Sequence, residues 1–140
     1  MAGTSSDGAG ADIARQIVAF AAGLRDETIP AEVTERLKAC IVDSIGCALS
    51  ARNDDAARGA REAVLRLCGS GPAAIWGTGQ GSSADLAAFA NGVAIRCQDW
   101  SDTYLTPTGG LHPSDMISAL LALGPIAFGA GVLLRRKGRS

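Results

Sequence analysis

The alternation of apolar and polar positions predicts a succession of short amphipathic helices. After a Gly/Ser-rich start, Ile13, Ile17, Phe20, Ala21 and Leu24 recur at helical spacing and give a first helix whose apolar stripe needs a partner. Pro30 suits the first position of a second helix, in which Val33, Leu37, Cys40, Ile41, Ser44, Ile45 and Ala48 form a stripe. A third helix begins near Asp54 and Asp55, whose carboxylates favour a helix start, carries Val64, Leu65 and Cys68, and stops at Gly69. Ser82 or Ser83 can cap a fourth, with Leu86, Phe89, Ala90, Val93 and Cys97 on one side. A fifth opens at His112-Pro113-Ser114-Asp115, with Ile117, Leu120 and Leu121 as its apolar face. The pattern implies an all-α class, about five helices joined through a glycine-rich connector.

Two stretches break the helical pattern. GSGPAAIWGTGQGSS has strand-like content only at Ala73 to Trp76, too short for a sheet without other segments, and reads as a structured connector. Its GTGQGS departs from the G-x-G-x-x-G spacing of a dinucleotide site and lies among helices, which favours a connector over a cofactor loop. Met116 to Leu134 is an uncharged run followed by RRKGR, long enough to raise a membrane span. Gly124, Pro125, Gly129 and Gly131 interrupt it, so a core helix with an irregular tail is the expected form and a membrane partner is not.

Composition narrows the classes of function. The 13 basic and 14 acidic residues nearly cancel, so no bulk field draws in nucleic acid or an anionic membrane. Aromatic content of 4% leaves few stacking platforms for single strands, and no nucleic-acid partner is expected. Cys40, Cys47, Cys68 and Cys97 contain no C-x-x-C pair and the chain has one histidine, so a metal site is poorly supported and reduced, buried thiols are expected. The opening MAGTSSDGAGAD has no basic n-region or apolar h-region, and a cytoplasmic address follows by default.

Polar groups crowd between the last two helices, from Asn91 to Asp115. Asp99, Asp102 and Thr103 span one helical turn and are expected to converge at a helix end, while His112 sits at the mouth of the next helix. Such a group suits binding a carboxylate and moving a proton, because a histidine can give or accept one and a helix start adds N–H donors; the residues alone fit equally a solvated loop histidine beside a proline, with Asp99 and Asp102 ending a helix as surface charge. Arg96, on the polar side of the fourth helix, is either a solvated residue or a contact for a substrate carboxylate. Trp100 and Tyr104 read as packing anchors.

The run ANGVAIRCQDWSDTYL followed by LHPSD resembles the signature of the MmgE/PrpD family, which includes 2-methylcitrate dehydratase and cis-aconitate decarboxylase. IPAEVTERLKACIVDSIGCALSA and AAIWGTGQGSSADLAAFANG resemble the family's second helix and its approach to that signature. Arg96 and DWSDTYL look more like the dehydratase branch than the decarboxylase branch. The resemblance implies a mostly helical domain joined to a smaller α+β lid, a site in the cleft between them, and homodimers as the usual assembly. It assigns Asp99, Thr103 and His112 to the catalytic positions; the neighbouring Arg96 and Asp102 are the substrate-binding candidates. The implied activity is that of a lyase dehydrating a small polycarboxylate such as 2-methylcitrate, as in propionate catabolism, with no cofactor needed.

On this reading residues 1–10 are a disordered start, 11–123 a partial helical domain without its lid, and 124–140 a divergent tail of the kind left by a frameshift, an early stop or a split gene. Such a piece is expected to be inactive alone and to associate through uncovered apolar faces. The alternatives are a non-catalytic helical interaction module from the same family, a decarboxylase-like or epimerase member, and, last, a small membrane-anchored protein.

Overall fold

The computed structural model of the chain describes residues 6–124, which fold as helices with two small hairpins. The elements are α1 (Ser6–Gly23), α2 (Ala31–Ser50), α3 (Asp55–Leu67), β1 (Ala73–Ile75), β2 (Gln80–Ser82), α4 (Ala84–Arg96), β3 (Tyr104–Thr106), β4 (Gly109–Leu111) and α5, a helix over 114–124. The class is all-α, as the periodicity predicts. The chain divides into two compact units, Met1–Leu37 and Lys38–Ser140. In the first, α1 starts at Ser6, earlier than the disordered stretch 1–10 anticipates. Its stripe residues Ile13, Ile17 and Phe20 are exposed.

The second unit is built on α3 and α4. Asp54 caps α3 by accepting from the Ala56 N–H at 3.1 Å, one of the free donors of a helix start, and Asp55 adds acidic charge to the first turn. Ser83 takes the N-cap position of α4, but its hydroxyl makes no capping bond there. It serves the Asp85 carboxylate instead, and that hydrogen bond lowers the Asp85 pKa, helped by the Leu86 N–H.

Alanine dominates what is buried. One cluster gathers Val64, Ala73, Ile75, Ala87, Ala90 and Ala122, and a second gathers Ala48, Ala51, Ala57, Ala94 and Ile95, with Trp76 and Cys97 packed against it. Small side chains let the backbones approach closely, and each methyl of mismatch is felt in such a core. The stripe expected on α4 is therefore rotated. Its buried face is Ala87, Ala90, Asn91, Ala94 and Ile95, while Phe89 is exposed. On α5 the buried residues are Ser114, Ile117, Ser118 and Ala122, and Leu120 is exposed. At the α4–α5 contact there is little room for a larger side chain; a Cβ on Gly92 would stand 3.2 Å from Ser118 Oγ.

The glycine-rich connector is a β-hairpin. β1 and β2 run antiparallel, with Ala73 opposite Ser82 and Ile75 opposite Gln80. Gly77 (φ 74°) and Gly79 (φ 70°) turn the chain in a conformation that costs L side chains energy, so GTGQG is turn chemistry. Asn91 fastens this hairpin to α4: its Oδ1 accepts from the Trp76 N–H and its Nδ2 donates to the Ala74 carbonyl, both at 3.0 Å. The amide of a buried helical residue thus completes the strand's hydrogen bonding from outside the sheet.

No helix among the described residues is long and apolar enough to cross a membrane. Most of the apolar run 116–134, and all but Gly124 of the expected divergent tail, lie outside the described residues.

Candidate functional site

The polar segment between α4 and α5 does not continue the helix. α4 ends at Arg96, and Asp99 adopts a left-handed conformation (φ 53°), tolerated by aspartate because its short polar side chain can bond locally. Asp99, Asp102 and Thr103 are therefore not on one helical turn. A second hairpin brings the candidates together: β3 and β4 pair Tyr104 with Leu111 and Thr106 with Gly109 across the Pro107-Thr108 turn. Proline presets φ for such a turn, and Thr106 Oγ1 closes it by donating to the Gly109 carbonyl at 2.6 Å. Extending that register by one step sets Thr103 opposite His112.

The geometry at that step fixes the imidazole. His112 Nδ1 lies 2.7 Å from the Asp102 carbonyl oxygen. A carbonyl only accepts, so Nδ1 carries the hydrogen and the neutral ring has its lone pair at Nε2. Thr103 Oγ1 stands 3.4 Å from the same Nδ1. Thr103 is exposed and His112 half-buried, so the pair sits at the surface of the unit.

Asp102 has a second role. Its Oδ1 accepts from the Ser114 N–H at 3.0 Å, so its carboxylate caps α5 and occupies an N–H donor that a ligand anion would otherwise use. The first turn is completed by the Asp115 N–H to the His112 carbonyl at 3.1 Å. Asp102 therefore holds the histidine through its backbone and the following helix through its side chain.

Arg96 gathers the rest. Nη1 donates to Ser101 Oγ at 2.7 Å, Nη2 is 3.2 Å from Asp99 Oδ1, and Nε is 3.5 Å from Asp115 Oδ1. Asp99 meets a cation here, and His112 is oriented by the carbonyl of Asp102. The Asp99 side chain is 80% exposed. The structure thus forms two adjoining groups, Thr103 with His112 and Arg96 with Asp99, joined through residues 101 and 102. Trp100 and Tyr104, expected to anchor packing, are exposed because the turn and hairpin carry them off the core.

Beside Arg96 a hollow of about 320 Å³ opens between α4 and α5, lined by Phe89, Val93, Arg96, Ser114, Asp115 and Ser118 among others. Ser114 Oγ is fully buried and has no hydrogen-bond partner among the described residues. Sequence reasoning passed over Ser114 and Ser118, whose burial follows from the close approach of the helices and leaves no periodic apolar signal. It also passed over Ser101, a buried residue that Arg96 holds.

The thiols lie apart from this arrangement. All four are free, but only Cys47 is buried; Cys40, Cys68 and Cys97 are half-buried. Burial raises the pKa of Cys47 and of Cys97, with the Asp43 and Asp54 charges adding to the respective effects. Cys68 is shifted the other way, chiefly by a hydrogen bond from the Ser83 backbone and then by the Ser82 side chain, which favour its thiolate.

Comparison with characterised proteins and with solved structures returned no match. The sequence matches the family model of the MmgE/PrpD N-terminal domain over residues 15–127. The matched span covers both hairpins, α2 to α4, the Arg96–Asp115 segment and α5 as described, so the arrangement above is the family's own sequence region: the chain belongs to the MmgE/PrpD N-terminal domain family.

Proposed function

We propose that the chain supplies the helical side of a lyase site that dehydrates a small polycarboxylate such as 2-methylcitrate, with His112 and Thr103 facing the reacting atoms and Asp99 beside them. The observation that carries the reading is the commitment of His112 Nδ1–H to the Asp102 carbonyl at 2.7 Å, which leaves Nε2 with a lone pair. Dehydration removes a proton from the carbon next to a carboxylate, turns that electron pair into a double bond, and expels the hydroxyl, which takes up a proton and leaves as water. Nε2 can accept the first proton or, once protonated, deliver the second. Because Nδ1–H is spent on the carbonyl, the Thr103 hydroxyl keeps its own hydrogen for a substrate oxygen. Arg96 and Asp102, expected to bind substrate, frame the site on this reading: the Asp102 carboxylate is spent on the Ser114 N–H and the guanidinium on Ser101, Asp99 and Asp115. The reaction exchanges no electrons and calls for no redox cofactor.

Turnover on this reading draws on groups beyond these, because negative charge spreading onto the substrate needs more cationic stabilisation than an arginine already paired with Asp99 and Asp115 provides. A lid and a second copy of the chain are the expected partners. The test is a titration of the whole chain with 2-methylcitrate followed by NMR, since one histidine gives one set of imidazole signals. The His112 ring and the Thr103 amide should shift by about 10 mM, where even a Kd near 1 mM approaches saturation. Unmoved signals at that concentration would refute the site.

A second reading is a non-catalytic interaction module. The exposed stripes Ile13, Ile17 and Phe20 on α1, and Met116, Leu120 and Leu123 on α5, favour it. A chain that captures a protein partner while its imidazole ignores the carboxylate would establish this reading in place of the first.

A further inference from the structure

We infer that Arg96 is a positioning residue that sets the tautomer of His112, acting through the backbone of residues 101 and 102. The inference rests on the reading of His112 as the acid/base group. Arg96 is the last residue of α4, and its three contacts reach Ser101, Asp99 and Asp115. Two of these lie in the link after α4 and the third in the first turn of α5, so one planar guanidinium ties both ends of the segment that carries β3 and β4. A rigid fork suits this task better than a flexible ammonium would.

The consequence falls on one carbonyl. The acceptor for His112 Nδ1–H is the oxygen of Asp102, the residue directly after Ser101. Arg96 fixes Ser101 at 2.7 Å, and the Asp102 side chain fixes the start of α5 at 3.0 Å, so the carbonyl between them is held on both sides. With the arginine leg removed, Cys97 and Gln98 stay tied, through the Cys97 N–H to the Val93 carbonyl and the Ser50 hydroxyl to Gln98 Oε1, whereas residues 99–101 keep, among the described residues, only the Asp99 N–H to Arg96 carbonyl bond, 3.2 Å long. The carbonyl then drifts from the imidazole, and the ring proton redistributes between its two nitrogens. Nε2, the nitrogen needed as a base, becomes protonated in part of the population. Side-chain positioning of this kind moves no atom of substrate.

The experiment uses the whole chain with labelled histidine, read by NMR at a pH alkaline enough to leave the imidazole neutral. Wild type should show the Nδ1–H form. Arg96→Met, which keeps the apolar stem, should lower the ratio of Nδ1–H to Nε2–H on the order of tenfold, the effect of losing one hydrogen bond, and Arg96→Lys should restore part of it. An Arg96→Met chain with wild-type helix content and an unchanged ratio overturns the proposal. If Arg96→Met does not fold, Ser101→Ala and Asp115→Asn decide: each cuts one leg, and a ratio unmoved by both overturns it equally. The lyase reading fails separately. A wild-type chain holding Nδ1–H but blind to 2-methylcitrate removes that reading and leaves the tautomer control intact, whereas a responsive chain with an unmoved ratio does the reverse.

Discussion

Replacing Asn91 by leucine removes the two bonds that fasten the β1–β2 hairpin to α4 while keeping the side-chain volume. Asn91 is 3% exposed, and both bonds are 3.0 Å long. Each bond contributes about 1 kcal/mol net, and a donor or acceptor stranded away from water costs about 1–3 kcal/mol. Ala74 and Trp76 are not fully buried, so part of that cost is relieved by solvent, and the expected loss is about 2–4 kcal/mol. With a urea slope near 2 kcal/mol/M, the midpoint should fall by about 1–2 M. Far-UV circular dichroism reads α3 and α4, and Trp76 fluorescence reads the hairpin. Asn91→Asp sharpens the test. An ionised carboxylate there would face the Ala74 carbonyl in a buried site, which raises its pKa; a protonated carboxyl could donate to that carbonyl and regain the lost bond. The Asp variant should therefore recover stability relative to wild type as the pH falls below neutrality. A midpoint shift under about 0.3 M for the leucine variant, or an Asp variant that tracks wild type across pH, would refute the role given to this amide.

Gly81→Ala should cost about 1–3 kcal/mol in the same melt, because the new Cβ would collide with the Gly71 carbonyl oxygen, a backbone atom that cannot step aside. Alkylation of the folded chain with iodoacetamide, followed by mass spectrometry, should label Cys68 first and Cys47 and Cys97 last, since hydrogen bonds favour the Cys68 thiolate and burial opposes the other two. The Cys47 and Cys97 thiols have folded values above the unfolded value of about 8.5, so their contribution is whole below that pH and is lost as pH rises through the folded values. Stability should consequently decline on the alkaline side, and Cys97→Ala should flatten that decline in melts at a series of pH values. Ile17 and Leu120 are 62% and 61% exposed, and Ile17→Glu with Leu120→Glu should raise the monomer fraction in sedimentation velocity; an unchanged distribution would mean that these stripes do not drive association.

The pattern of the sequence determined which segments are helical. Asp54 and Asp55 mark the start of α3, the serines at 82 and 83 precede α4, and Pro113 precedes α5, because caps and breakers act through neighbouring backbone groups and need no distant partner. The residues carrying the family resemblance, Asp99, Thr103 and His112, are equally legible. Their arrangement is not. The two hairpins rest on short pairings whose register is set by turns at 76–79 and 107–108, and three-residue strands leave almost no period to read. Which face of α4 is buried was decided by contact with α3 and the β1–β2 hairpin, where the close approach of backbones selects alanine over phenylalanine. The histidine's tautomer belongs to the tertiary structure as well, since it depends on a main-chain oxygen ten residues earlier that no residue type announces. Local propensity fixes elements from their own atoms, whereas a site made of one element's backbone and another's side chain exists only after both are packed.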